Sequence, residues 1–338
     1  MSSIHIQNLS KSYGDVQALR DVTLRVEPGE LFGLIGPDGA GKTSLIKILV
    51  TLLKPDSGSA MLEGMDVTQK VKQVRDIIGY MPGNFSLYQD LSIEENLRFF
   101  ATSFGTTVRE NYHLIEDIYV QIEPFKKRRA GALSGGMKQK LALCCALIHK
   151  PTVLLLDEPT TGVDAVSRKE FWDMLKRLKS AGITVLVSTP YMDEASLCDR
   201  VALIQNGQIL AVDKPDAVAA AFPEQLFAVK AKDRYSLIKH LRAWDRTRYC
   251  YAFGEEVHLT ISDFGFGISE SDFGSRISDL GENETELSDS ESASEVRNPK
   301  SEIENYLLEV GIADAQVREI APTIEDQFIH LMERSEHA

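Results

Sequence analysis

The sequence predicts an α/β fold in which a largely parallel sheet is covered by helices on both faces. Three observations predict it. Short continuous apolar runs, "ELFGLIG", "TVLLLDEP" and "ITVLVS", have the length and β-branched content of strands buried on both sides. Each runs directly into a helical pattern, "KTSLIKILVTLL", "SRKEFWDMLKRLK" and "YMDEASLC". The 338 residues, 43% hydrophobic and 26% charged, suffice for one large domain and a smaller one.

Taken in order, "IHIQNLS", "VTLRVE" and "GSAMLEG" read as a small antiparallel β subdomain packed on that core. From about residue 90 to 149 strand signals vanish, and "IEENLRFFATSF" and "MKQKLALCCALI" predict a helical insertion. The large domain is expected over residues 1–215. Over 216–338 the pattern changes to half-buried strands, "QLFAVKA", "RYCYAF" and "EVHLTIS". These mix with the helical patterns "SLIKHLRA", "SEIENYLLEV" and "IEDQFIHLMER", giving a small α+β C-terminal appendage. Between about 262 and 300 the appendage is interrupted by an acidic, Ser-rich insertion. It has too little apolar surface to offset its ordering entropy, so a flexible loop is expected there.

A net charge of -13 argues against a nucleic-acid binder, because phosphate backbones are held by clustered Lys and Arg. The local basic run "PFKKRRA" is expected to be a solvated segment or a partner contact. Cys144, Cys145, Cys198 and Cys250 form no CxxC pair, so neither a metal site nor a disulfide framework is expected, and reduced thiols fit best. The stretch "MSSIHIQNLSKSYG" lacks a secretory pattern, and no window approaches 18 consecutive apolar residues. If the protein works at a membrane, other chains are expected to span it.

Chemistry concentrates in three stretches. "GPDGAGKT", Gly36 to Thr43, lies between an apolar strand and a helix with the spacing of a phosphate-binding P-loop. Gly36, Gly39 and Gly41 let the backbone wrap so that its N–H groups face a phosphate, with the helix dipole behind them. Lys42 would reach the β- and γ-phosphates and the Thr43 hydroxyl would coordinate Mg²⁺. In "TVLLLDEP" a strand delivers Asp157, a second magnesium contact, and then Glu158, a carboxylate suited to activating the attacking water. In "LSGGMKQKLAL", Ser134 starts a helix and is followed by Gly135 and Gly136, so a hydroxyl, bare N–H groups and a dipole face one anion-sized spot.

With these motifs in this order, residues 3–213 resemble the ATP-binding-cassette (ABC) ATPases. The resemblance implies a P-loop NTPase core with ATP and Mg²⁺ as cofactors. The ATP-binding set would be Gly36, Pro37, Asp38, Gly39, Ala40, Gly41, Lys42, Thr43 and Ser44, with Tyr13 stacking on adenine. Glu158 would be catalytic, and Thr43 and Asp157 would hold the metal. Ser134, Gly135 and Gly136 would complete the site of a second cassette, identical or not, with Asp164 coupling the two sites.

Two positions depart from the family pattern. Pro190 stands where a histidine normally contacts the γ-phosphate, and proline offers no donor. Thr189 is expected to cap the following helix with Pro190 in its first position. Gly83 stands where a glutamine normally follows Tyr-Met-Pro, with Asn84 one residue on as a partial substitute. The resemblance implies the energy-coupling ATPase subunit of a membrane transporter, working with separate membrane-spanning permease subunits. Such a subunit sits peripherally on the cytoplasmic face of the membrane. The tail "PTIEDQFIHLMERSEHA" resembles that of multidrug and adaptor-linked efflux ATPases, which favours export. The departures make slow turnover the expectation, with a catalytically silent regulatory partner as the alternative.

Overall fold

A computed structural model describes residues 2–262 and 298–336, and these form two compact units: residues 2–222 with 323–336, and residues 223–262 with 298–322. The expected flexible insertion at about 262–300 falls almost wholly outside the described residues.

In the first unit, β1 (Ile4–Tyr13) and β2 (Val16–Val26) pair antiparallel and precede β3 (Leu31–Ile35) and α1 (Lys42–Leu49). β4 (Ser57–Leu62) and β5 (Met65–Asp66) complete a four-stranded antiparallel sheet in the order β2-β1-β4-β5. α2 (Val71–Ile77) leads into β6 (Ile78–Met81). The expected helical insertion consists of α3 (Ile93–Ser103), α4 (Tyr112–Tyr119) and α5 (Gly135–Leu147). Its entry is set locally: the Ser92 and Glu95 side chains form a reciprocal capping box on α3.

β7 (Val153–Asp157), α6 (Ala165–Ser180), β8 (Thr184–Thr189), β9 (Arg200–Gln205), β10 (Gln208–Asp213) and α7 (Pro215–Ala220) follow. The main sheet runs β10-β9-β3-β8-β7-β6, parallel except for the edge strand β10. Every residue of β3, β7 and β8 is buried, which is why these strands read as unbroken apolar runs. Their side chains alternate between two cores. Leu154, Leu156, Val185 and Val187 pack with Phe171, Trp172 and Leu175 of α6, whereas Phe32, Leu34, Leu155 and Leu186 pack with Leu45, Ile46 and Leu49 of α1. Parallel strands so covered end at one edge, and the loops there carry the candidate site.

The second unit holds β11 (Leu226–Lys230), α8 (Arg234–Ala243), β12 (Thr247–Phe253), β13 (Glu256–Ile261), α9 (Pro299–Glu309) and β14 (Gln316–Ile320). The order β-α-β-β-α-β with an antiparallel sheet β12-β13-β11-β14 is a split βαβ arrangement. Phe227, Val229, Val257 and Leu259 meet Leu237 and Leu241 of α8 and Ile303 and Leu307 of α9 in one core. The sequence reading did not include β14: only Val317 of its five residues is buried, so it lacks an apolar alternation.

The final helix, α10 (Ile324–Glu336), differs from expectation. It belongs to the first unit, against α7 and the 3-10 helix Met192–Leu197, with Ile324 and Phe328 in the core that holds α6. The second unit is thus an insertion between α7 and α10, and the sequence pattern that separated residues 216–338 missed the return because an amphipathic helix does not say which core it faces. In the first unit, just after α5, the His149 Nε2–H donates to the Ile78 carbonyl at 2.8 Å, and the ring stacks on Phe104 at 3.8 Å. Burial lowers the His149 pKa, opposed by that carbonyl.

Phe328→Ala removes a 4% exposed ring from this core and is expected to cost about 3–5 kcal/mol, read by urea denaturation; a loss under about 1 kcal/mol would show that α10 is not part of the cooperative unit. Because His149 protonates more readily unfolded than folded, its contribution is intact above the ordinary histidine value of about 6.5 and is lost as pH falls below it. Thermal midpoints should therefore drop on acidification toward pH 5.5, and His149→Gln should flatten that slope; equal slopes would remove His149 as the cause.

Candidate nucleotide site

β3 ends at Ile35, and the Gly36 N–H donates to the Thr189 carbonyl at 3.3 Å, fixing the start of the loop to the end of β8. Gly41, the residue before α1, has φ +106°, and a Cβ there would lie 2.4 Å from the Ala18 carbonyl oxygen. At Gly36 the corresponding clash is with the Ile204 carbonyl at 2.2 Å. Both glycines are thus required by close backbone approach, and Gly41 by its conformation as well. Lys42 is 3% exposed; its Nζ donates to the Gly36 and Pro37 carbonyls at 2.8 and 2.9 Å and lies 3.0 Å from Glu158 Oε1. The Ala40 carbonyl is used inside the protein, accepting from Gly207 N–H at 3.0 Å.

Asp157 and Glu158 come from the end of β7. The buried Asp157 carboxylate accepts from the Thr43 hydroxyl at 3.1 Å and from the Ser188 hydroxyl at 2.8 Å, joining α1, β7 and β8. The Glu158 N–H donates to the Ser188 carbonyl at 3.1 Å and approaches its hydroxyl at 3.0 Å. Glu158 has φ +49°, an uncommon setting for a residue with a side chain, held here by those contacts. Burial, with the negative charge of Asp157, pushes the nearby Tyr80 hydroxyl up to about 12.

Asp38, Gly39, Gly41, Lys42, Thr43, Ser44 and Glu158 therefore line one small pocket of about 180 Å³ with Ala18, which no sequence signal marked. Tyr13 stands at 47% exposure with its hydroxyl 3.4 Å from Ser44 Oγ, so an open aromatic face adjoins the loop. Backbone turns, a buried ammonium, a hydroxyl and two carboxylates suit a polyphosphate with a hard divalent cation, the chemistry of an oxygen-only donor set.

The other motif residues are not among those that line this pocket. Ser134 caps α5, accepting from the Met137 N–H at 3.4 Å; Ser134 and Gly135 are exposed, and Gly136 packs where a Cβ would meet Ser167 Oγ at 2.6 Å. Asp164 caps α6; the Ser167 N–H, foremost, holds its carboxyl below the usual range. Gly83 and Asn84 are exposed beside Glu158, and a Cβ at Gly83 would lie 3.1 Å from the Asp157 carbonyl.

At Pro190 the structure corrects the sequence reading. The Thr189 hydroxyl accepts from the Tyr191 N–H at 3.1 Å, a turn bond and not a helix cap: the 3-10 helix Met192–Leu197 begins after Tyr191 with no side-chain cap, and Pro190 lies in a bend and not in the first turn of a helix. Sequence reasoning also missed Ser188, the polar end of an apolar strand, and Gln139, whose side-chain amide donates to the Pro159 carbonyl.

Comparison with known proteins accords with this geometry. A family model described as ABC transporter matches residues 19–161. Nod factor export ATP-binding protein I of Burkholderia lata is 33% identical over 267 residues, 76% of this chain and 88% of that protein. The chain belongs to the ABC transporter family. The probable multidrug ABC transporter ATP-binding protein YbhF of Escherichia coli (strain K12) is 41% identical over 219 residues, 64% of this chain; the chain spans only 38% of that relative's length. Among solved structures, a dimeric ATP-binding cassette in a post-hydrolysis state with ADP and Pi matches 62% of this chain and 98% of its own. The TM-score is 0.58 and the identity 25%. In this ABC protein the fold neighbours are thus cassettes, and residues 19–161 span both the P-loop and Asp157–Glu158.

Ser188→Ala leaves Asp157 with one partner fewer and is expected to cost about 1–3 kcal/mol in folding stability. Chemical denaturation checks it, and an unchanged midpoint would mean that Thr43 alone suffices.

Proposed function

We propose that this chain is the ATP-binding, energy-coupling subunit of a membrane exporter, and that it binds MgATP well but turns it over slowly at its own site. One observation carries the reading: Lys42, Thr43 and Glu158 line one pocket with Asp157 hydrogen-bonded to Thr43, while the turn after β8 carries Pro190, whose side chain has no donor.

Glycine-lined backbone and Lys42 would bind the phosphates, Lys42 exchanging its carbonyl and Glu158 contacts for phosphate oxygens. Thr43 and Asp157 would hold Mg²⁺, which when bound neutralises phosphate charge. Glu158, freed from Lys42, would accept a proton from the attacking water as its oxygen bonds to the γ-phosphorus and the bond to the bridging oxygen breaks, releasing ADP and phosphate. A donor aimed at developing charge is typically worth roughly 10²–10³ in rate, which sets the scale of what Pro190 withholds. Binding depends on groups that remain. The intact Glu158 and relatives named as ABC transporter and export ATP-binding proteins disfavour a catalytically silent role.

The exposed Ser134 and Gly135 at the start of α5 fit the expected second cassette, identical or not, and Asp164 would couple the two sites. Among the described residues no helix is long and apolar enough to cross a membrane, so separate permease subunits are proposed. An apolar groove of about 630 Å³ between β6 and the helical insertion, lined by Leu52, Ile78, Leu87, Phe100 and Phe104, suits an apolar segment of such a subunit. This arrangement would place the chain on the cytoplasmic face. Relatives named for multidrug transport and Nod factor export support the outward direction.

Steady-state hydrolysis by the chain, alone and with a candidate partner cassette, tests the proposal. Turnover should be slow, fall at least about 10²-fold further in Glu158→Gln, and rise in Pro190→His. Fast turnover unaffected by Pro190→His would refute the slow-site reading, and an absence of ATP binding would refute the whole.

A further inference from the structure

The 3-10 helix after Pro190 turns one carboxylate inward. Glu194 is 1% exposed, whereas Asp193 before it faces solvent. Its two oxygens serve different segments. Oε1 accepts from the Thr160 hydroxyl at 2.8 Å and Oε2 accepts from the Thr189 hydroxyl. The Arg168 guanidinium lies 3.6 Å from Oε1, and the same group stacks over the Tyr191 ring at 4.2 Å. Thr160 and Thr189 are themselves 1% and 0% exposed.

Each arm starts on a segment that carries a site residue. Thr160 lies between Glu158 and Asp164 on the connection from β7 to α6. Thr189 precedes Pro190, and its carbonyl accepts from Gly36 at the start of the P-loop. Arg168 stands in the first turns of α6, just after Asp164. Burying a carboxylate is costly unless it is fully paired, and apolar residues would join the same elements at lower cost. A paired charge at this junction instead gives a fixed geometry, since both hydroxyls must point at one group.

We propose that Glu194 is a positioning residue for the nucleotide reaction: it couples the connection bearing Glu158 and Asp164 to the Pro190 turn, so that nucleotide at the P-loop is registered at that connection although the turn has no histidine. The inference rests on the ATP-binding reading above.

The test is hydrogen exchange of the full chain with and without MgATP, alongside ATP affinity, in the parent and in Glu194→Gln, Thr160→Val, Thr189→Val and Thr160→Ser. In the parent, ATP should slow exchange over residues 160–164 by about tenfold. Glu194→Gln and both valine variants should reduce that slowing to less than about twofold while ATP affinity stays within about twofold, because the P-loop and Lys42 are untouched. Thr160→Ser, which keeps the hydroxyl but loses a methyl, should restore it; a merely structural role would favour the isosteric valine instead. The two valine changes together should do no more than either alone, since both act through one carboxylate. Should Glu194→Gln not fold, the valine variants decide. Retained slowing in the valine variants, no slowing in an ATP-bound parent, or loss of ATP affinity in the variants would each overturn the proposal. A parent that binds no ATP would instead overturn the functional reading on which it stands.

Discussion

The buried Asp157 carboxylate is the constraint on which the site depends. It accepts from Thr43 on α1 and from Ser188 on β8 while terminating β7 itself, so three elements are fixed by one group. A carboxylate 3% exposed is stable only with such partners, and the partners exist only if β7 and β8 are in register, with Asp157 opposite Ser188. Sheet register and site chemistry are therefore one requirement: a slip of one residue would turn the carboxylate to the other face. The positive φ at Glu158 follows from the same frame, because its N–H is claimed by Ser188.

Around that node the pocket is held without its substrate by internal substitutes. Lys42 is neutralised by Glu158 and by two carbonyls, which keeps a 3% exposed ammonium satisfied. The same pairing keeps the candidate base occupied until phosphate competes for the lysine. Pro190 fits because the Tyr191 N–H after it is taken by the Thr189 hydroxyl in a turn, so a residue that offers the chemistry no donor leaves the local backbone satisfied.

The two-unit organisation bears on the same region. Residues 223–322 are inserted between α7 and α10, and α10 returns to pack on the 3-10 helix that follows Pro190. A segment with little regular hydrogen bonding of its own is thus stabilised by tertiary packing.

Much of this was legible in the sequence. Fully buried strands cannot avoid reading as unbroken apolar runs, Gly36 and Gly41 are demanded by backbone approach and Gly39 by its positive φ, and Asp157, Glu158, Ser134 and Asp164 sit at strand or helix ends that local pattern marks. These features depend on near neighbours in the chain, so spacing carries them. What only the tertiary structure decided depends on distant partners: that Ser188, 31 residues on, meets Asp157; that Glu194 joins Thr160 and Thr189; that α10 leaves the appendage for the first core; that β14 closes a polar edge. A buried hydroxyl and an exposed one look alike in sequence, and only the fold determines which of them faces a carboxylate.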